Sequence, residues 1–341
     1  MEYIKLGASG LNVSRLVLGS MGFGSLDWQD WVLEEQEALK VIQHAYEAGI
    51  NTWDTADTYS HGRAEEIFGA ALKKLDIPRH KVVILTKCGF LADPSLIKPR
   101  FAVNDGTEFV NEVGLSRKHI FDAVDASVKR LGTYIDVLQI HRFDKYTPGE
   151  EIMRALNDVI ESGKVRYIGA CSMAAWEFQM LQGIAERKGW HKFISMQNYY
   201  NLLYREEERE MIPYCNATGV GILPYSPLAR GILAREFVDR ENTLESTREK
   251  TDMAQSKFRR EASQADEIII GRVKEIAIKK SVSMATIALA WILARSNCCP
   301  VIGLNAPGRT MEALGALKQK LTDEEIVYLE EGYRPKSVQG H

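Results

Sequence analysis

The sequence predicts an α/β fold, a (β/α)8 TIM barrel with an N-terminal β-hairpin and long loops on the C-terminal face. Three observations carry this. Short apolar runs of β-type alternate with amphipathic helical stretches, and the alternation can be counted eight times. No early strand leads into G-x-G-x-x-G, which argues against an open dinucleotide-binding sheet. Three successive apolar runs end in polar residues, Asp54, Lys87 and His141, which a barrel would gather around one mouth. At 341 residues, with no linker, repeat or low-complexity tract, the chain reads as a single domain over 1–341.

Each element has a local reason. "YIKLGASGLNVS" reads as a hairpin, and "RLVLGS" (15–20) as the first barrel strand. The helix at 34–48 repeats apolar residues at three and four, with Gly49 where a C-cap belongs. "INTWDTA" and a helix at 63–75 follow, then "KVVILTK" (81–87). Ser116 caps a helix that stops at Gly132. "IDVLQIH" (135–141), a helix at 149–162, "KVRYIGACS" and a helix at 174–188 continue the pattern. "FISMQN", a helix at 205–218 and "VGILPYS" come next. Helices at 266–280 and 284–295 precede "CPVIGL", and helices at 308–318 and 322–332 end the round. Two connections, 89–115 and 229–265, are too long for ordinary turns, and loops of that length are usually functional.

Composition excludes several classes. The net charge of −3 gives no electrostatic case for nucleic acid or a membrane surface. "SMATIALAWILA" is too short to span a bilayer, and "MEYIKLGASG" lacks the basic start and apolar core expected of a signal peptide. The odd, scattered cysteines, with no CxxC, point to a reducing compartment and a cytoplasmic location. No H-x-x-x-H spacing suggests a metal, and the tail "SVQGH" matches no targeting address.

The polar rim suits carbonyl reduction. Hydride arriving at a carbonyl carbon leaves negative charge on oxygen, so a donor must protonate it. Tyr59, in the loop after Asp54, is a candidate acid. An ammonium nearby, Lys87, favours the phenolate and lowers its pKa, and Asp54 balances that buried cation. His141 could hydrogen-bond and orient the carbonyl oxygen. Each residue alone has an ordinary reading: Asp54 as a turn cap, Tyr59 as packing, His141 as a satisfied polar group. Lys87 has the least structural excuse, because it ends a strand buried on both faces. Arg142 is expected to point away from His141 along the strand, and Cys88 to fill space.

"DTADTYSHGRAE", "ILTKCG", "LQIHRFD", "GKVRYIGACS", "MQNYYNLLYREEEREMIPYC", "LPYSPLARGIL" and "VSMATIALAWILA" occur in an order that resembles the aldo-keto reductase family. The resemblance runs from the N-terminal strand region to about residue 332, and its details are most similar to the aryl-alcohol dehydrogenase-like microbial and fungal branch. It implies a catalytic tetrad of Tyr59, Asp54, Lys87 and His141, and an NADP(H) cofactor. Ser172 and Gln197 would bond the nicotinamide carboxamide, and Tyr225 would stack beneath the ring. Ser226, Pro227, Leu228 and Ala229 would line the pyrophosphate. Ser20 and Met21 would approach the nicotinamide ribose, and Asp54 would also touch the cofactor. Gly303, Asn305, Arg309, Glu312 and Ala313 match the adenosine end, with Arg309 at a helix start suited to the 2′-phosphate. Arg248 would fold over the cofactor from the seventh loop. In the family that it resembles, many members have Asn where this chain has Met173, and many have a basic residue where it has Ala306.

Trp28, Trp31 and Phe90 fall on loops after the first and third strands, and line a substrate pocket or pack locally. The partner is then a small-molecule carbonyl, aromatic or a secondary metabolite, and the resemblance favours a monomer or weak homo-oligomer. Two alternatives remain open from the sequence. One is a cofactor-binding redox-sensing subunit like the potassium-channel β-subunits. The other is a barrel enzyme forming a Schiff base on Lys87.

Overall fold

In the computed structural model, residues 1–96, 108–236, 248, 251 and 263–340 are described. Strands β1 (Tyr3–Lys5) and β2 (Asn12–Ser14) form an antiparallel hairpin. Eight parallel strands follow: β3 (Val17–Gly19), β4 (Thr52–Asp54), β5 (Val83–Cys88), β6 (Ile135–Ile140), β7 (Val165–Cys171), β8 (Phe193–Gln197), β9 (Gly221–Ile222) and β10 (Val301–Gly303). They pair in chain order, and β10 pairs with β3. Bridges from Ile222 to Cys298 and from Tyr225 to Val301 join the last two, so the sheet closes on itself. The fold is the (β/α)8 barrel that the alternation predicts.

Helices α1 (Glu35–Glu47), α2 (Arg63–Lys74), α3 (Arg117–Leu131), α4 (Gly149–Glu161), α5 (Ala175–Lys188), α6 (Met211–Thr218), α7 (Gln264–Lys280), α8 (Met284–Leu293) and α9 (Pro307–Lys318) surround it, with α10 (Asp323–Glu330) outside the round. Ser116 caps α3 by accepting from the His119 N–H at 3.2 Å, and Gly132 ends it at φ +68°. Two expected boundaries move by more than two residues, both because of proline. The helix expected from 205 begins at Met211, after a 3-10 turn over Glu206–Glu208, since Pro213 in a helix interior would clash with the carbonyl four residues back. The strand expected through "VGILPYS" ends at Ile222, because Pro224 has no N–H to give a neighbour. Of the long connections, 97–107 and 237–262, except 248 and 251, lie outside the described residues, and with them most of the charged stretch "DRENTLESTREKTD".

Alternation along the strands builds the barrel in layers. One set of side chains packs outward against the helices around Trp53, which lies 5.2 Å from the Phe68 ring. The opposite set points inward. Val17, Val83, Leu85, Val137, Leu223 and Val301 form an apolar floor, which Leu6 and Val13 of the hairpin close from below. Two residues further along the same inward faces, the floor gives way to Lys87 after Leu85 and Gln139 after Val137. These two are register partners, and Gln139 is in turn opposite Gly169. A Cβ on Gly169 would stand 2.5 Å from the Ser195 hydroxyl and 3.2 Å from Gln139 Cγ, so only glycine leaves room there for the glutamine.

The hairpin is attached tightly: the Ala8 N–H donates to the Gly219 carbonyl at 2.6 Å. Gly7 stands at φ +59°, and a Cβ there would meet that same carbonyl at 2.3 Å. Gly7→Ala is expected to destabilise the protein by about 2–3 kcal/mol through strain and overpacking. Urea denaturation checks this, and an unchanged midpoint would show that the hairpin is not a structural plug.

Candidate active site at the C-terminal mouth

The polar layer sits directly above the apolar floor. Asp54 is the last residue of β4, and the chain turns from it into the loop that carries Tyr59. That loop is tied to β5: the Thr55 N–H donates to the Leu85 carbonyl (2.9 Å) and the Asp57 N–H to the Lys87 carbonyl (3.1 Å). Thr58 donates its hydroxyl to the Leu91 carbonyl at 3.0 Å. Past Tyr59, Ser60 (φ +48°) and His61 (φ +49°) adopt left-handed backbone, which costs non-glycine residues on the order of 1–3 kcal/mol each. Ser60 offsets part of this by accepting from the Ser25 N–H at 3.2 Å, which docks the first barrel loop onto this one.

Lys87 Nζ donates to Asp54 Oδ2 at 2.6 Å, to the Thr55 carbonyl at 2.9 Å and to the Tyr59 hydroxyl at 3.3 Å. An ammonium has three N–H bonds, so all three are used. The other Asp54 oxygen accepts from Gln197 Nε2 (2.8 Å) and Gln139 Nε2 (3.0 Å), and Gln197 Nε2 also reaches Gln139 Oε1 (3.1 Å). Lys87 and Asp54 are both buried, at 1% and 2% exposed. Burial alone would release the lysine proton, but Asp54, and after it Tyr59, outweigh that and hold the ammonium above the ordinary lysine range.

The Tyr59 phenol departs from the expectation. Burial pushes its pKa up, Lys87 pulls it down, Asp54 adds to the rise, and the balance lies above the ordinary value. The lysine acts in the sense expected, but desolvation of the phenolate is the larger influence. His141 follows β6, with its ring 4.7 Å from Phe90 and 6.0 Å from Tyr59. Burial, then Arg142 and Lys87, depress it well below the usual imidazole range, so it is neutral. A neutral ring has one N–H to give and one lone pair.

Gln139 went unnoticed in the sequence. The signal that finds it is the period of two within the strand: it follows Val137 by two residues on the same inward face. Arg142 is a correction. The alternation that would turn it away holds only within a strand, and β6 ends at Ile140. Its Nη1 donates to the His141 carbonyl (2.5 Å) and the Cys171 sulfur (3.3 Å), and its guanidinium lies 5.9 Å from the Phe90 ring centre. Cys88 is buried, and its thiol is pushed well up by desolvation.

The residues expected around a cofactor occupy the same mouth. The Ser20 N–H donates to the Asp54 carbonyl at 2.9 Å, and its buried hydroxyl has no partner. Met21 beside it is half-buried. Ser172 has φ +35°, and its hydroxyl is 3.4 Å from that of Tyr225. Tyr225, Tyr199 and Tyr204 stack in series, at 5.6 and 4.7 Å. Ser226 (φ +52°) and Ala229 (φ +47°) bend the next loop around buried Pro227 and half-buried Leu228. Gly340 comes close to these tyrosines: a Cβ on it would lie 2.7 Å from the Tyr225 hydroxyl.

At the other end, Gly303, Asn305 and Arg309 are exposed where β10 passes into α9. Arg309 reaches Glu312 at 3.3 Å, and Ala313 is packed in the core. The Arg248 guanidinium lies 4.2 Å from the Trp31 ring centre, so the seventh loop meets the first. Trp28 is buried and Trp31 half-buried, 6.4 Å apart. Among the described residues, no group of His, Cys, Asp or Glu could hold a metal, and no single helix is long and apolar enough to cross a membrane.

A phenol beside a buried ammonium thus stands at the C-terminal mouth of a parallel α/β barrel. Comparison with known proteins makes the class specific. Residues 15–334 match the aldo/keto reductase family, and the chain belongs to it. It is 60% identical to the versiconal hemiacetal acetate reductase of Aspergillus parasiticus, over 99% of this chain and 98% of that one. An aryl-alcohol dehydrogenase-type protein of Schizosaccharomyces pombe is 54% identical over 98% of this chain and 96% of its own. An aldo-keto reductase of Metarhizium robertsii is 49% identical over 100% of this chain and 93% of its own. The protein is an oxidoreductase of the carbonyl-reducing kind.

The buried ion pair makes a stability prediction. Lys87→Met, which strands Asp54, is expected to cost about 3–5 kcal/mol at neutral pH, and adding Asp54→Asn should recover part of the loss. Equilibrium urea unfolding of the two variants tests it, and a single variant as stable as the parent would contradict the pairing.

Proposed function

We propose that this protein reduces an aldehyde or ketone to an alcohol with NADPH, and that Tyr59 delivers the proton to the carbonyl oxygen. The observation that carries this is the Lys87 ammonium, 3.3 Å from the Tyr59 hydroxyl and 2.6 Å from Asp54. Tyr59 remains protonated at neutral pH, as an acid must before reduction. As its proton leaves, the ammonium is already oriented toward the phenolate that forms. Stabilisation that grows along the reaction coordinate is what accelerates a step. His141, neutral, can donate an N–H to the same carbonyl oxygen and fix its direction. The triply bonded ammonium is a poor nucleophile, which counts against a Schiff base on Lys87.

The mouth suits a nicotinamide: an unpartnered buried hydroxyl on Ser20, the paired hydroxyls of Ser172 and Tyr225, and a left-handed loop at Ser226–Ala229. When bound, the nicotinamide supplies hydride to the carbonyl carbon. Ser172 and Gln197 would hold its carboxamide. Gln197 already gives its N–H bonds to Asp54 and Gln139, so its carbonyl oxygen is what remains to accept. Tyr225 would lie against the ring. Ser20, Met21 and Asp54 would face the ribose side, and Ser226, Pro227, Leu228 and Ala229 the pyrophosphate. Gly303, Asn305, Arg309, Glu312 and Ala313 would form the adenosine end, with Arg248 closing over from the seventh loop.

The substrate we favour is an aromatic or secondary-metabolite carbonyl. The names of the relatives support it, and so does the aromatic rim of Trp28, Trp31 and Phe90. The five cysteines, all buried and free, support a reducing, cytoplasmic setting.

Mixing the protein with NADPH and an aromatic aldehyde should consume cofactor absorbance. Tyr59→Phe is expected to bind NADPH as the parent does and to lose about 10²–10⁴-fold in kcat. Full turnover by this variant would remove the mechanism. Arg309→Ala should weaken NADPH by about 10–100-fold, the worth of a charged hydrogen bond to the 2′-phosphate, and leave NADH little changed. Fluorescence titration with both cofactors decides it, and equal losses would place the phosphate elsewhere.

A further inference from the structure

We propose that Arg142 is a specificity-determining residue that anchors an anionic oxygen of the substrate, a carboxylate or phenolate remote from the carbonyl being reduced. The proposal rests on the reading of this mouth as the reductase pocket.

Position comes first. Arg142 follows His141; its guanidinium is 5.9 Å from the Phe90 ring centre, and its Nη1 is 3.3 Å from the Cys171 sulfur. It is close enough to Tyr59 and Tyr225 to be coupled to both electrostatically. It therefore stands on the wall of the same cleft as the proposed acid, not behind it.

Charge comes second. Lys87 is balanced by Asp54 at 2.6 Å. The other buried carboxyl nearby, Asp57, has neither side-chain oxygen hydrogen-bonded to a neighbour, and burial, with Glu65 adding, pushes its pKa well above the usual carboxylate range. His141 is neutral. Among the described residues, no carboxylate lies within ion-pair distance of Arg142; its hydrogen bonds go to a carbonyl and a thiol. A guanidinium is always charged, and that of half-buried Arg142 stands without a counter-ion. Half-buried Arg79 and Arg130 pair with Asp136 and Glu65, while Arg15, like Arg142, has no carboxylate, but its contacts are two backbone carbonyls away from the mouth.

Geometry comes third. A guanidinium offers five N–H donors in a planar fork. Both contacts of Arg142 use Nη1, which leaves Nη2 and Nε for a ligand. A fork of two parallel N–H groups matches a carboxylate, or one electron-rich oxygen shared between them. The aromatic ring that bears such a group has Phe90 to pack against.

The experiment compares 2-, 3- and 4-formylbenzoate and 4-hydroxybenzaldehyde with benzaldehyde and methyl 4-formylbenzoate. The parent protein should prefer at least one anionic substrate over its neutral counterpart through KM. In Arg142→Met, the ratio of kcat/KM for anionic over neutral substrate should fall by about 10–100-fold. Arg142→Lys, which keeps charge and loses the fork, should fall between. Benzoate binding, followed by calorimetry without cofactor, should weaken in the same order. A parent with no anionic preference, or a ratio unmoved in both variants, overturns the proposal. If benzoate binding depends on Arg142 while no aldehyde is reduced by the parent, the anchor stands and the reductase reading fails.

Discussion

Everything at the mouth of this barrel depends on where the Lys87 ammonium can be satisfied. It is removed from water, and it survives as a cation because a carboxylate, a backbone carbonyl and a phenol supply three acceptors for its three N–H bonds. Each acceptor comes from the segment 54–59, while the lysine comes from β5. The ion pair therefore clamps one strand-loop unit to the next, and it fixes the hydroxyl of Tyr59 in the same act. The loop's left-handed residues, Ser60 and His61, are tolerated because that clamp and the docked first loop hold their neighbours.

The pair can exist there because the barrel is stratified. Val83 and Leu85 face inward before Lys87, and Val137 before Gln139, so the strands change character at one level. Below that level the interior is hydrocarbon closed by a hairpin; above it lies a hydrogen-bonded polar layer. Asp54, with two amides on one oxygen and the ammonium on the other, is nearly saturated. Such a network permits little reorientation, which suits a site that must meet a developing charge without rearranging.

The electrostatics of the mouth are asymmetric. The phenol is kept protonated by desolvation, the imidazole is kept neutral by desolvation and two nearby cations, and one cation has a counter-ion while the other does not. Arg142 is the group through which this chain can distinguish one carbonyl from another.

Much of this was legible in the residues. The eight-fold alternation, and polar residues ending three consecutive apolar runs, depend on local periodicity, and so they specified the barrel and gathered Asp54, Lys87 and His141 on one rim. Caps such as Ser116 and Gly132 are equally local, and they appear where expected. Pro213 and Pro224 cut elements that hydrophobic pattern alone would extend, although the prolines were in plain view. Other features are not local at all. Gln139 acquires its partners only when β4 and β8 come round beside β6. Arg142 escapes the strand rule because the strand stops one residue before His141. The direction of the Tyr59 shift could not come from the sequence either. A cation and a phenol can be read as neighbours from motif order, but how much water each loses is set by everything packed around them. The chain by itself determined which groups meet; the folded surroundings decided their charge, because burial is a property of the whole assembly and not of any segment.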